Sequence, residues 1–337
     1  MNTTRRFAVS ALAAALTSVS FAASAMDDFK PAVIYDMGGK FDKSFNEGVY
    51  NGIQRFIDET GVEVMEFEVT NETQREQAMR RMVDRGATVV LGVGFGQADA
   101  ISAVAADNPD VSFSIIDVNW LEGDNLRQYA FKEHEGSYLV GMAAAMASET
   151  GTVGFVGGMD IPLISAFECG YKQGVAAVNA DATVLANMTG TTPAAWNDPA
   201  KGAELTIGQI DSGADVIYQA AGGTGQGVIQ AAVDAGKLAI GVDSNQNYLA
   251  PGSILTSMLK RVDVAAYNTM MDAMNGDFTA EVLNLGLAEG GVGWALDEFN
   301  RDLISADMET AINDASAKIA SGEIEVHDYR SDNSCPL

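Results

Sequence analysis

The stretch "AVIYDMGGKFDKSFNEGVYNGIQRF", residues 32–56, decides the fold. A short apolar run, 32–35, is followed at once by Asp36, two glycines, a group of polar residues and an amphipathic segment. Such a run is typical of a buried strand, and the segment 45–59 has helical periodicity. The sequence therefore predicts a strand that leads through a glycine turn into a helix. Ligands of α/β proteins bind at this carboxyl end of the strands.

The same alternation continues along the chain. The first series predicts strands at 32–35, 62–69, 87–94, 111–117 and 126–131, separated by helices at 45–59, 72–85 and 97–107. The second series predicts helices at 135–148, 163–179, 199–212 and 225–235, with strands at 152–158, 182–188, 215–222 and 238–243. Strands alternating with helices of this length indicate βαβ units and a parallel sheet. We therefore predict an α/β protein with two doubly wound parallel-sheet lobes.

The segments after the second series do not simply extend it. They are a strand at 253–263, a helix at 262–275, a strand pair within 282–296 and a terminal helix at 304–320. Further crossings between the lobes would account for them and would form a multi-strand hinge. The predicted N-terminal lobe comprises 27–131 plus 262–285. The predicted C-terminal lobe comprises 132–261 plus 286–330, followed by a tail, 331–337.

Residues 1–25 have the pattern of a cleaved secretory signal. Arg5 and Arg6 precede an apolar stretch that ends in Ala23-Ser24-Ala25, the small-residue pattern of a cleavage site. Cleavage near Ala25 predicts an exported protein. No cysteine lies at the cleavage site, so we do not expect a lipoprotein.

The composition argues against several classes of function. The formal net charge of −26 repels phosphate backbones, so we expect no nucleic-acid partner. Two histidines without a matching cysteine or carboxylate cluster give no support for a metal site, and we expect no cofactor. Because no nucleophile–base–orienter set is apparent, hydrolase chemistry is weakly supported.

The chain has two cysteines, Cys169 and Cys335. In an oxidising compartment an even count favours a disulfide, which here would join the C-terminal tail to the body. The alternative is a buried free Cys169 and a loose tail.

The first motif, "DMGGKFDKSFN", contributes Asp36, Ser44, Phe45 and Asn46 as candidate ligand-binding residues. Ser44 or Asp42 could instead cap the following helix. Capping does not explain an apolar ring at the mouth of that helix or an aspartate that ends the strand. We therefore expect Asp36 and Phe45 to contact a ligand.

Three later strand ends supply further candidates. "VGFGQADA" contributes Gly94 and Phe95, although an ordinary βα turn is an equally good interpretation. "AGGTGQG" contains Gly222, and its spacing is not that of a dinucleotide or phosphate loop. Asp243 ends a strand, and Lys260 lies in an otherwise apolar strand. These two residues could form a plain structural pair or could share a polar ligand, which we favour.

Together these motifs resemble the basic membrane protein family, the nucleoside-binding receptors of ABC importers. The resemblance extends over nearly all of the chain after residue 27 and rests on "DMGGKFDKSFNEGVYNG", "GVGFGQADA", "FSIID", "FKEHEGSYLVGMAA", "GTVGFVGGMDIP", "NDPAKGAEL", "GADVIYQAAGGTGQGV", "IGVDSNQ", "TSMLKRVD" and "LGLAEGGVG". It implies a type I periplasmic-binding fold whose two lobes close on a ligand.

The resemblance also implies roles for individual residues. A nucleoside base would lie between Phe45 and Trp196, the latter replacing a phenylalanine of relatives. Asp36 would read the base, and Asp243 with Lys260 would bind the ribose. Asp117 and Gly222 match other cleft positions.

The resemblance implies a monomeric periplasmic receptor that captures a nucleoside, purine more than pyrimidine, and delivers it to the permease of an ABC transporter. Two alternatives remain open at this stage. One is a monosaccharide receptor of the same fold. The other is a secreted enzyme that processes nucleosides, which would need a metal or a placed base that the sequence does not supply.

Overall fold

The computed structural model describes residues 28–337. The predicted signal segment and its cleavage site lie outside the described residues. The strands are β1 Pro31–Tyr35, β2 Met65–Glu68, β3 Val89–Gly92, β4 Ser112–Ile116, β5 Leu126–Phe131, β6 Thr152–Met159, β7 Thr183–Gly190, β8 Val216–Ala220, β9 Leu238–Asp243, β10 Ile254–Lys260, β11 Val282–Leu285 and β12 Val292–Trp294. The helices are α1 Phe45–Thr60, α2 Gln74–Asp84, α3 Ala98–Asp107, α4 Glu133–Ala147, α5 Pro162–Val178, α6 Pro199–Asp211, α7 Gly225–Asp234, α8 Val262–Asn275 and α9 Ala306–Ala320.

The strands form two six-stranded sheets with matching connections. The first sheet has the order β11-β5-β4-β3-β1-β2, and the second has the order β12-β10-β9-β8-β6-β7. All pairs within the first sheet are parallel, whereas the edge strand β12 runs antiparallel to β10. The α/β prediction with two mainly parallel sheets is confirmed.

Apolar side chains cover both faces of each sheet, as expected for parallel strands flanked by helices. One cluster beneath the first sheet includes Ile34, Val90 and Ile101, and another beneath the second includes Val156 and Ile217. A third cluster contains residues of both sheets. We call each sheet with its packed helices a lobe.

The predicted strand pair within 282–296 differs from the structure in one respect. Its two strands, β11 and β12, do not pair with each other, because β11 joins the first sheet and β12 joins the second. The chain passes between the sheets after Phe131, after Lys260 and after Leu285. The lobe boundaries that we assigned to residue positions remain a prediction.

Cys169 and Cys335 are bonded to each other, with their Cα atoms 5.5 Å apart. Cys169 is buried on α5 of the second lobe. The disulfide therefore joins the end of the chain to the middle of that helix.

Candidate functional site

A cleft between the carboxyl ends of the two sheets brings together most of the predicted site residues. Ten of the eleven predicted ligand-binding residues line it: Asp36, Phe45, Asn46, Gly94, Phe95, Asp117, Trp196, Gly222, Asp243 and Lys260. The remaining one, Ser44, is fully buried and lies behind the lining. Residues from both lobes thus face one space.

The loop after β1 is shaped by its two glycines and by Asp42. Gly38 and Gly39 have φ angles of 119° and 87°, which side chains with a Cβ rarely adopt. The Asp42 carboxylate accepts hydrogen bonds from the backbone N–H groups of Ser44 and Asn46 at 2.8 and 3.0 Å. Asp42, and not Ser44, therefore caps α1, since the Ser44 side chain makes no capping hydrogen bond.

Asp36 is held from two sides. Its backbone N–H donates to Asn46 Oδ1 at 3.1 Å, and Arg75 Nη2 donates to its Oδ1 at 3.0 Å. Burial raises the pKa of Asp36, and the Arg75 guanidinium partly opposes this shift. The geometry thus provides a fixed carboxylate on the wall of the first lobe.

Arg75 gives a physical reason for the glycine in the loop after β3. A Cβ on Gly96 would lie 2.6 Å from Arg75 Nη2, so a side chain there would displace the guanidinium. Gly96 therefore makes room for the partner of Asp36. Gly94, with a φ of 89°, lies closer to the cleft, where a Cβ would be 3.0 Å from Asp36 Oδ2.

Two aromatic rings from opposite lobes face the cleft. Phe45 is the first residue of α1 in the first lobe, and Trp196 ends a short 3₁₀ turn after β7 in the second. A Cβ on Gly158 of β6 would lie 2.1 Å from Trp196 Cζ3, so only glycine accommodates the indole there. The backbone of the second lobe thus fixes the position of this ring.

The ends of β4 and β9 each place a buried aspartate in the cleft. Asp117 and Asp243 have φ angles of 69° and 61°, in the left-handed region. Burial raises the pKa of Asp243 to about 6, although Lys260 and the Ser44 hydroxyl oppose the shift. Burial also raises the pKa of Asp117. Ionised carboxylates here would be strong acceptors for ligand hydroxyl groups.

Lys260 is a buried cation between the lobes. Its Nζ lies 2.6 Å from Asp117 Oδ1 and 3.2 Å from Glu133 Oε1, the two carboxylates within ion-pair distance among residues 28–337. Burial lowers the pKa of Lys260, but the neighbouring carboxylates more than compensate and raise it overall. The simple Asp243–Lys260 pair, considered as an alternative above, is therefore not the arrangement in the structure.

Direct hydrogen bonds connect the lobes beside the cleft. Ser44 Oγ donates to Asp243 Oδ2 at 2.5 Å, and Ser244 Oγ donates to the Ser44 carbonyl at 2.9 Å. Gln246 Nε2 also donates to the Lys43 carbonyl at 2.8 Å. The structure is therefore a closed arrangement in which Ser44 contacts the other lobe.

Several residues of this site are not among the candidates predicted from the sequence. Phe167, Leu163 and Ile164 of α5 complete the apolar wall. Glu133 is completely buried against Lys260, and Arg75 supports Asp36. The chain contains 46 acidic residues, so the pattern around Glu133 alone did not distinguish it from a surface glutamate.

The described residues contain neither a membrane-spanning helix nor a cluster of metal ligands. In the part of the chain that the structure describes, no helix is long and apolar enough to cross a membrane. Within residues 28–337, no group of three or more histidine, cysteine, aspartate or glutamate side chains is arranged to hold a metal ion.

The chain is similar to several known proteins. Basic membrane protein A2 of Borrelia garinii subsp. bavariensis is 32% identical over 304 residues, which cover 88% of each chain. The ABC transporter nucleoside-binding protein BmpA of Lactococcus lactis subsp. cremoris is 30% identical over 321 residues, covering 89% of each.

A solved ABC transporter solute-binding protein from Aeropyrum pernix K1 superposes with a TM-score of 0.83 at 28% identity, covering 90% of this chain and 95% of that one. Residues 29–330 match the Bmp family, described as "ABC transporter substrate-binding protein PnrA-like". The protein is therefore a member of the Bmp family of PnrA-like ABC transporter substrate-binding proteins.

Proposed function

We propose that this substrate-binding protein captures a nucleoside, with a purine base favoured, and delivers it to an ABC importer. The observation that carries the proposal is the pair of rings, Phe45 and Trp196, on opposite walls of a cleft that also contains buried carboxylates. A flat heterocycle can stack on both rings, whereas a saturated sugar offers only C–H faces.

The polar residues supply the second half of a nucleoside site. Asp243, Asp117 and Lys260 lie together at one part of the cleft. Charge-assisted hydrogen bonds from hydroxyl groups to carboxylates are strong and directional, which suits a ribose. Asp36, held by Arg75, lies near Phe45 and provides an acceptor for the N–H groups of a base.

A nucleoside is also the ligand in the printed name of one relative, BmpA of Lactococcus lactis. We extend that ligand class to this chain, together with a periplasmic location, a monomeric state and a permease partner in the inner membrane. The export of the protein rests on the predicted signal segment, 1–25.

A ligand screen tests the proposal. We expect inosine, guanosine or adenosine to raise the melting temperature of the purified protein more than the free bases, ribose or other monosaccharides do. Stabilisation follows from binding to the folded state alone. The bound compound should be recovered unchanged by chromatography after denaturation. A response to monosaccharides alone would support the sugar receptor, and a recovered product would support an enzyme.

A further inference from the structure

The C-terminal segment, residues 324–337, follows α9 and returns to the junction between the lobes. Cys335 is bonded to Cys169 of α5. Gln173, one turn further along α5, accepts a hydrogen bond from the His327 N–H at 2.9 Å and donates to the His327 carbonyl at 3.0 Å. Two independent attachments therefore hold this segment on the second lobe.

The same segment places Arg330 at the point where the chain passes from β5 to α4. Arg330 Nη2 donates to the Phe131 carbonyl at 3.0 Å, and Nη1 lies 2.9 Å from Glu133 Oε2. Asp328 orients the guanidinium, since Arg330 Nε lies 3.0 Å from Asp328 Oδ1 and Nη2 lies 3.0 Å from Oδ2. Arg330 is therefore fixed in orientation and pairs with a completely buried carboxylate.

Glu133 connects Arg330 to the cleft. One of its oxygens pairs with Arg330, and the other lies 3.2 Å from Lys260 Nζ. Lys260 in turn pairs with Asp117 at 2.6 Å. An unbroken series of alternating charges thus runs from the C-terminal segment to a residue that lines the cleft.

The balance of charge explains why a second cation is needed. Asp117, Glu133 and Asp243 are three buried carboxylates near a single lysine. A buried carboxylate without a cation is costly and tends to take up a proton. A protonated or displaced carboxylate is a poorer acceptor for a ligand hydroxyl. Arg330 supplies positive charge from outside the cleft without occupying ligand space.

We propose that Arg330 is a positioning residue of the ligand site, which acts through Glu133 to keep Lys260 and Asp117 in their binding arrangement. The C-terminal segment is then part of the binding machinery and not only a structural tail. This inference rests on the proposed function, because the group that Lys260 and Asp117 position is the sugar of the ligand.

The test compares inosine affinity by calorimetry in the wild type, Arg330→Gln, Arg330→Lys and Arg301→Gln between pH 5 and 8. Arg301 is a matched control, since it pairs with Glu309 on the surface at 2.8 Å. The charged or titratable groups that bear on the result are Asp117, Glu133, His134, Asp243, Lys260 and Asp328.

In the wild type we expect affinity to fall as the pH drops through about 6, where Asp117 and Asp243 take up protons. Arg330→Gln removes a cation, so the midpoint should move up by about one pH unit, which lowers the affinity by about tenfold at pH values below both midpoints. Arg330→Lys should restore most of the wild-type profile, and Arg301→Gln should not change it.

Two results would overturn the proposal. One is an Arg330→Gln profile that matches the wild type within about twofold, since one pKa unit represents tenfold. The other is an equal loss at every pH without rescue by Arg330→Lys, which would indicate a merely structural role. If Arg330→Gln does not fold, the Cys169→Ser/Cys335→Ser variant, which keeps Arg330 but loosens its segment, should shift the midpoint in the same direction.

Failure of the proposed function has a different signature. The wild type itself would then show no saturable inosine binding at pH 7.5. In that case the same four proteins are compared with the compound that the thermal screen identifies, and the expected pH shift is unchanged.

Discussion

The two lobes repeat one strand order, yet the aspartates at equivalent strand ends have different partners. Asp117 follows β4 and Asp243 ends β9, each strand being third in its sheet. Asp117, in the first lobe, pairs with Lys260 from the second. Asp243, in the second lobe, accepts a hydrogen bond from Ser44 of the first. Each acid therefore has a polar partner in the other lobe, a cation for Asp117 and a hydroxyl group for Asp243.

This difference suggests that the two aspartates have different roles, although the lobes share one architecture. On the side of Asp117, the charges of Lys260, Glu133 and Arg330 are balanced by protein groups alone. On the other side Asp243 has no basic group within ion-pair distance among residues 28–337 and keeps acceptor capacity. We therefore expect Asp243 to make the stronger polar contact with a ligand. The following predictions test this distinction, from the largest effect to the smallest.

The largest effect is expected for Lys260→Met. The substitution leaves Asp117 and Glu133 buried without their shared cation, and removal of one partner of a buried pair costs about 3–5 kcal/mol. The free energy of unfolding from urea titration should fall by that amount. Lys318→Met is the control, because Lys318 is half exposed and lies 3.8 Å from Glu323. Equal losses in both variants would contradict the central role of Lys260.

Asp243→Asn should separate binding from stability. The loss of a charge-assisted hydrogen bond should weaken nucleoside binding by about 1.5–3 kcal/mol. In the folded protein the pKa of Asp243 is about 6, above its ordinary value of 3.8. The ionised carboxylate therefore lowers stability above pH 6, and this cost fades as the pH falls toward 4. At pH 7 the asparagine variant should therefore be as stable as the wild type or more so.

Asp117→Asn provides the contrast that this prediction needs. Burial raises the pKa of Asp117 as well, but removal of its charge takes away the nearest partner of Lys260 and leaves that buried lysine with Glu133 alone. The apo protein should therefore not gain stability. Calorimetry with inosine and with hypoxanthine, together with urea titration, measures both quantities. If Asp243→Asn and Asp117→Asn give the same changes in affinity and in the free energy of unfolding, the two acids are equivalent and the proposed difference in their roles is wrong.

The rings are expected to have the next largest effect. Trp196→Ala and Phe45→Ala should each weaken nucleoside binding by about 1–3 kcal/mol, the range for stacking of a base on an aromatic side chain. Trp196→Phe should retain binding. Gly158→Ala should act like a displacement of Trp196, since its Cβ would meet the indole at 2.1 Å.

Gly208→Ala is the matched control for that glycine, because nothing lies within 4 Å of a Cβ there. Fluorescence titration with inosine measures the affinity in each variant. Full binding by Trp196→Ala would show that the cleft does not hold a base between two rings.

The sequence alone predicted the fold well because periodicity is a local property. The alternation of apolar runs and amphipathic segments gave both strand series, and glycine-containing strand ends indicated the cleft. The predicted lobe bounds, 262–285 and 286–330, put the two strands within 282–296 in different lobes. The strands with which β11 and β12 pair were not predicted, since neither has a local signal for its partner.

The site was predicted less completely, for a physical reason. The positions of residues at strand ends, such as Asp36 and Asp243, can be predicted from the alternation of strands and helices. Arg75, Glu133 and Arg330 act through ion pairs between residues far apart in sequence. Nothing in the local pattern of so acidic a chain shows which carboxylate meets which cation.

The smallest effect is expected for Ser44, the residue that completes Asp243 from the opposite lobe. Ser44 does not line the cleft, so its hydroxyl group acts on the closed arrangement and not on the ligand. In Ser44→Ala the lobes lose one of the hydrogen bonds that join them, while the Ser244 and Gln246 bonds remain, so affinity should fall by only about 0.5–1.5 kcal/mol. Since only the closed state loses this bond, the unliganded variant should have a larger radius of gyration by small-angle scattering, and saturating inosine should restore the closed value. Ser321→Ala, which removes an exposed bond to the Lys318 carbonyl within one lobe, should change neither quantity. A loss of affinity with unchanged scattering would mean that Ser44 contacts the ligand directly, as the sequence analysis proposed, and that Asp243 does not depend on the opposite lobe.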